Sequence, residues 1–147
     1  MTIRRFSHVG ICVSELERSL AFYRDALGFR AVHRFEVAGE APATLLGLTD
    51  VDLEAVFLER DGVRIELLSY RVPPPRGDGE PRPMNALGLT HLSLRVDDLA
   101  GTITALEQAG ARVLHETRTW NSERASGAVF AIDPDGTLIE LIQSSTF

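Results

Sequence analysis

Val9, Ile11 and Val13 alternate with His8, Gly10 and Cys12, so the segment 6–13 reads as a strand with one apolar face. The period then changes. Leu16, Leu20, Tyr23 and Leu27 recur at steps of four, three and four, which marks one face of a helix. Ser14 stands where an N-cap belongs, Glu17 is its capping-box partner three residues on, and Gly28 closes the helix. Strands are predicted near 29–37, 53–60 and 63–70, the last two joined by a turn at Asp61-Gly62. The same order then recurs: a strand at 89–96, a helix from about 98 to 109 stopped by Gly110, and strands near 111–117, 127–133 and 137–143.

The recurrence extends to individual residues. "SHVGICVSEL" (7–16) matches "THLSLRVDDL" (90–99) at an offset of 83, and "LGFRAVHR" (27–34) matches "AGARVLHE" (109–116) at 82. "RDGVRIELLSY" (60–70) matches "PDGTLIELIQS" (134–144) at 74. Three echoes in one order indicate two copies of a βαβββ unit. The first module spans 1–71 and the second 89–147. The Pro- and Gly-rich stretch 72–88 links them.

Composition narrows the function classes. A chain of 147 residues with 44% apolar content can bury a substantial core. A net charge of −6 and the lack of a Lys/Arg run argue against a nucleic-acid partner. Cys12, the only cysteine, cannot form an intrachain disulfide, and neither a signal-peptide core nor a membrane span is legible. A soluble cytoplasmic protein is the expectation.

Alternation sets Val63, Ile65 and Leu67 on one face, presumed to meet the helix, and Arg64, Glu66, Leu68 and Tyr70 on the other. In the second copy Glu140 shares its face with Leu138 and Ile142, where an unpaired carboxylate is costly. His8 and His91 likewise lie opposite the apolar positions of their strands. If the two units curl so that these faces line one concavity, two imidazoles and two carboxylates converge. Such a set satisfies itself by binding one divalent cation: Ni, Co, Zn, Mn or Fe(II). His33 and His115 also match each other but are read as ordinary surface or core residues.

With "FSHVGICVSELERSLAFYRDALGF", "LGLTHLSLRVDD" and "DPDGTLIELIQ", nearly the whole chain resembles the vicinal oxygen chelate superfamily. That superfamily includes glyoxalase I, methylmalonyl-CoA epimerase, extradiol dioxygenases and the fosfomycin and bleomycin resistance proteins. The resemblance implies an α+β fold of two tandem βαβββ modules whose mixed sheets form a partly open barrel around a metal cleft. It places the metal ligands at His8, Glu66, His91 and Glu140, a set most like that of bacterial glyoxalase I. Two positions depart from that enzyme: Cys12 and Tyr70 stand where it carries an arginine and an asparagine that help bind glutathione.

The chemistry expected is a metal-dependent lyase or isomerase reaction. A proton next to a carbonyl is moved while the cation stabilises an enolate or enediolate. Glu140 and Glu66 are the candidate bases, with Glu140 favoured for its apolar neighbours. Substrate contacts are expected from Arg95, Tyr70, Arg64 and Trp120, the last on a segment, 119–127, that reads as a loop over the site. The alternatives are an Fe(II) extradiol-type dioxygenase and a non-catalytic, bleomycin-resistance-like ligand-binding protein. The partners expected are a small molecule with adjacent oxygens and a second copy of the chain in a homodimer.

Overall fold

A computed structural model describes residues 2–144 and divides the chain into two compact units, Met1–Arg76 and Gly77–Phe147. In the first, β1 (Val9–Val13) leads into α1 (Leu16–Leu20), which continues as a π-helical turn, Ala21–Ala26. Then come β2 (Arg30–Ala38), α2 (Glu40–Leu46), β3 (Asp52–Arg60) and β4 (Val63–Val72). The second holds β5 (His91–Arg95), α3 (Leu99–Gln108), β6 (Arg112–Asn121), β7 (Ser126–Ile132) and β8 (Leu138–Gln143). The sheets are built alike, in the orders β1-β4-β3-β2 and β5-β8-β7-β6, each open and mixed. First and last strands pair in parallel, and the remaining pairs are antiparallel. The α+β class and the duplicated module are as the sequence reads.

Alternation decides which face each sheet buries. Ile65 and Leu67 are buried in the first unit and Ile139 and Leu141 in the second, each side chain worth about 1.5–3 kcal/mol. Val63 departs from its expected burial. It opens β4 and is 50% exposed, because the strand's first residue lies beyond the reach of the core.

Local details differ from expectation for identifiable reasons. Glu15, not Ser14, caps α1: its carboxylate accepts from the N–H groups of Glu17 (3.1 Å) and Arg18 (3.0 Å). The longer side chain reaches two free amides and adds a negative charge at the helix N-terminus. Ser14 Oγ instead accepts from the Arg18 guanidinium. After Leu20 the helix widens, and the Leu27 N–H donates to Phe22 O five residues back, at 2.9 Å. Helix α2 was not expected at all. Gly39 and Gly47 bracket it with positive φ, and Pro42 is tolerated because it lies in the first turn. In the second unit Asp98 caps α3 by accepting from the Gly101 N–H.

One connection is shorter than the sequence suggests, and another groups with a unit. Strand β6 runs to Asn121, so the expected loop at 119–127 shrinks to a turn over residues 122–125. Residues 77–88 group with the second unit, and β4 extends to Val72. Gly136, at φ 95° in the β7–β8 turn, lies against this strap. A Cβ there would come within 2.8 Å of the Gly79 and Glu80 backbone. Among the described residues, no helix is long and apolar enough to cross a membrane.

Candidate functional site

Each unit assembles the same constellation on the sheet face opposite Ile65 and Leu67 in the first and Ile139 and Leu141 in the second. In the first, His8 immediately precedes β1, and the parallel register sets Gly10 beside Glu66 on β4. His8 Nε2 then lies 3.2 Å from Glu66 Oε2. In the second, His91 opens β5, the register sets Ser93 beside Glu140 on β8, and His91 Nε2 lies 3.6 Å from Glu140 Oε2.

Two further residues belong to each constellation. Phe57 pairs across the antiparallel ladder with Glu66 and holds its ring 5.3 Å from the His8 ring. Phe130 pairs with Glu140, with its ring 5.5 Å from that of His91. Sequence reasoning missed both, although "AVF" at 55–57 and again at 128–130, ahead of each Asp-Gly turn, was a legible signal. The residue before each histidine is also part of the pattern. Ser7 Oγ lies 2.9 Å from His8 Nδ1, and Thr90 Oγ1 lies 2.9 Å from His91 Nδ1.

The donor chemistry of each pair fits two positions around a divalent cation. With bonds of about 2.0–2.2 Å, neighbouring ligand atoms stand roughly 3.0–3.4 Å apart in octahedral or tetrahedral geometry. The first pair falls within that span, and the second needs only a small inward shift. Within each unit the pair is all there is: among the described residues, no group of three or more His, Cys, Asp or Glu side chains is gathered for a metal.

The carboxylates are not equivalent. Ser93 Oγ–H donates to Glu140 Oε2 at 2.6 Å, whereas Glu66 faces Gly10, which has no side chain to offer.

The other residues read from the sequence divide between the two faces of the sheets and between free and engaged groups. Tyr70 shares the Glu66 face. Burial, then the charges of Cys12 and Glu66, push its phenol above the usual value, so it stays a neutral donor. Arg64 stands over the Phe57 ring, 5.2 Å from the centroid, and donates through Nε to Glu59 Oε1 at 2.8 Å. That hydrogen bond holds the Glu59 carboxyl below its usual range. Arg95 donates to Ser144 O at 2.7 Å. Trp120 pairs with Gly127 on β7, which puts it on the sheet face opposite Glu140, and it packs where a Cβ at Gly127 would come within 2.7 Å of the indole. His33 stacks on Phe35, and His115 Nε2 lies 2.6 Å from Glu107 Oε1. Neither histidine joins the pairs.

The chain is similar to known proteins on three grounds. The family model described as Glyoxalase/Bleomycin resistance protein/Dioxygenase superfamily matches residues 5–141. The chain is 30% identical to an ethylmalonyl-CoA/methylmalonyl-CoA epimerase of Cereibacter sphaeroides, with 96% of this chain and 98% of that protein covered. It is 31% identical to a probable lactoylglutathione lyase of Vibrio cholerae, covering 98% and 94%. Among solved structures it resembles a glyoxalase family protein from Bacillus cereus, with a TM-score of 0.84, 25% identity, and 98% and 96% of the two chains covered. The duplicated module, the repeated His–Glu pair and these matches agree, and the chain belongs to the glyoxalase/bleomycin resistance protein/dioxygenase superfamily.

Proposed function

We propose that this protein is a divalent-metal-dependent lyase or isomerase that moves a proton next to a carbonyl group. The observation that carries the reading is the duplicated pair: His8 with Glu66 and His91 with Glu140, each at a separation suited to adjacent ligand positions. Each pair alone is half a ligand set, so the reading has both pairs holding one Ni, Co, Zn, Mn or Fe(II) ion, within one chain or across a homodimer. The cation, when bound, supplies positive charge to two neighbouring substrate oxygens as negative charge develops on them.

The remaining roles fall to the chain itself. Phe57 and Phe130 wall the pairs and exclude water. Tyr70, kept protonated, donates to a substrate oxygen. Arg64 and Arg95 are candidates for substrate contact only by exchanging Glu59 or Ser144 O for a substrate anion, and Trp120, on the other sheet face, is outside this set. A glutamate takes the proton. The expectation from its apolar neighbours is Glu140, but the Ser93 hydroxyl donates to that carboxylate and ties one oxygen. Glu66, opposite Gly10, is the freer of the two to act as base.

Relatives named as epimerase and as lactoylglutathione lyase direct the choice of substrates: acyl-CoA esters and 2-oxo thiohemiacetals. The test is metal analysis of protein purified without added metal, followed by exchange of solvent deuterium into both substrate classes. Stoichiometric Ni, Co, Zn or Mn with exchange at the carbon next to the carbonyl is the expected result. Bound iron with oxygen uptake on a catechol would turn the reading to a dioxygenase. Tight drug binding without metal or turnover would turn it to a sequestering protein.

A further inference from the structure

The hydroxyl that precedes each histidine recurs in both units at the same distance, although the residue changes from Ser7 to Thr90. What the two side chains share is an Oγ placed against Nδ1. We infer that Ser7 and Thr90 are positioning residues that present Nε2 of His8 and His91 to the cation, an inference that rests on the metal-dependent reading above.

The chemistry follows from the two ring nitrogens. Imidazole binds a metal through an unprotonated nitrogen, so the proton of a neutral ligand ring must sit on the other one. A hydroxyl is suited to that second nitrogen because it both donates and accepts and rotates to suit. A neutral ring with its proton on Nε2 leaves Nδ1 to accept from the hydroxyl, and a ring with its proton on Nδ1 donates to the same hydroxyl. Ligation through Nε2 would require the second form, with the ring's single proton on Nδ1 after exchange with solvent, and the hydroxyl would then turn to accept it. The hydroxyl thus has a hydrogen bond to offer in either state. An alanine has none, and the ring can then rotate about its Cβ–Cγ bond or coordinate through the wrong nitrogen.

The distance from Phe57 and Phe130 fixes one side of each ring, and the hydroxyl fixes its edge. Ser7 is exposed and lies outside β1, so removing its Oγ leaves the core untouched. Thr90 similarly lies just ahead of β5.

The experiment compares Zn²⁺ affinity, by competition with a chromophoric chelator, in the wild-type protein, the S7A/T90A and S7T/T90S double variants, and H8A/H91A. Orienting partners of this kind contribute roughly 10–100-fold in affinity. We expect S7A/T90A to weaken by about that factor, S7T/T90S to stay near wild type, and H8A/H91A to lose tight binding. In ¹⁵N spectra of the zinc-loaded protein, each imidazole should be ligated through Nε2 with an exchange-protected Nδ1 proton, which S7A/T90A loses. A structural role alone would not move that resonance. Equal affinity in wild type and S7A/T90A, with H8A/H91A impaired, would overturn the inference while the metal-dependent reading stands. Ligation through Nδ1 in the wild type would do the same. A wild type that takes up no Zn²⁺, Ni²⁺ or Co²⁺ would remove both.

Discussion

The first and second units carry the same His–Glu–Phe constellation on the same strands, yet they surround it differently. Glu66 faces a glycine and Glu140 a serine that binds it. The first unit adds α2, whose Ala43 joins Val51, Leu53 and Ala55 in an apolar cluster against Leu68 and Tyr70. The second unit places a short turn between β6 and β7 and, among the described residues, has no such helix. The first unit's β2–β3–β4 sheet is also laced by arginines: Arg34 pairs with Glu54 and Glu17, and Arg71 with Asp52 and Glu36. Duplication has preserved the His–Glu pair with its Phe neighbour and released what lies around it.

The largest effect expected comes from breaking the constellations one at a time. Glu66→Gln should lower the exchange rate by about 10²–10⁴-fold, the range for losing an acid–base group, and Glu140→Gln should lower it through weakened metal binding. The comparison sharpens if Glu140→Gln also strips the metal on gel filtration while Glu66→Gln retains it with its kcat gone. Identical behaviour of the two variants would mean that Ser93 makes no distinction between the carboxylates. Exchanging their surroundings should have a smaller effect. A hydrogen bond to a charged group contributes about 1.5–3 kcal/mol. Ser93→Ala is expected to weaken metal binding by roughly tenfold or somewhat more, measured by chelator competition. Gly10→Ser, where a Cβ meets only Leu68 Cδ1 at 3.4 Å, should give Glu66 the same tie and slow exchange by a comparable factor.

Acid should separate the two units least, but in a defined direction. Hydrogen bonds from arginine hold the carboxyls of Asp52, Glu54 and Glu59 below their usual range, with Arg71, Arg34 and Arg64 as the respective partners. A depressed folded-state pKa contributes stability that is present above the ordinary carboxylate values near about 4 and lost as pH falls through the depressed ones. These pairs are solvent-accessible, so the effect is modest and screened by salt. Hydrogen exchange followed from about pH 5 downward should show β2–β4 amides losing protection ahead of β6–β8. Simultaneous loss in both units would deny the ion pairs that role.

Much of the fold was legible because duplication wrote it twice. A single histidine in a strand says little, whereas His8 and His91 at matched positions, with Glu66 and Glu140 to answer them, identify the site's ligands as candidates. Less could be read where structure depends on contacts that leave no periodic trace. Helix α2 buries only Ala43, so it has no apolar stripe to detect. The Glu15 cap was hidden behind Ser14, a residue type with the stronger preference for that place. Trp120 was assigned to a loop because the Asn-Ser-Glu-Arg stretch after it is polar, yet β6 continues through it by pairing with Gly127. The non-equivalence of the carboxylates was beyond the sequence, because the residue beside each one is set by parallel register between strands some fifty residues apart.

The π-helical turn at Ala21–Ala26 explains an irregularity in the spacing of the two copies. Their offset shortens from 83 before the helix to 82 after it, so the first helix carries one residue that the second lacks. A turn closed at five residues instead of four absorbs a single extra residue while both flanks keep their facing. The wide turn is thus an insertion scar, healed in place. Removing one residue from within it should restore an ordinary helix and leave His8 on one side and the Phe29 strand on the other where they were.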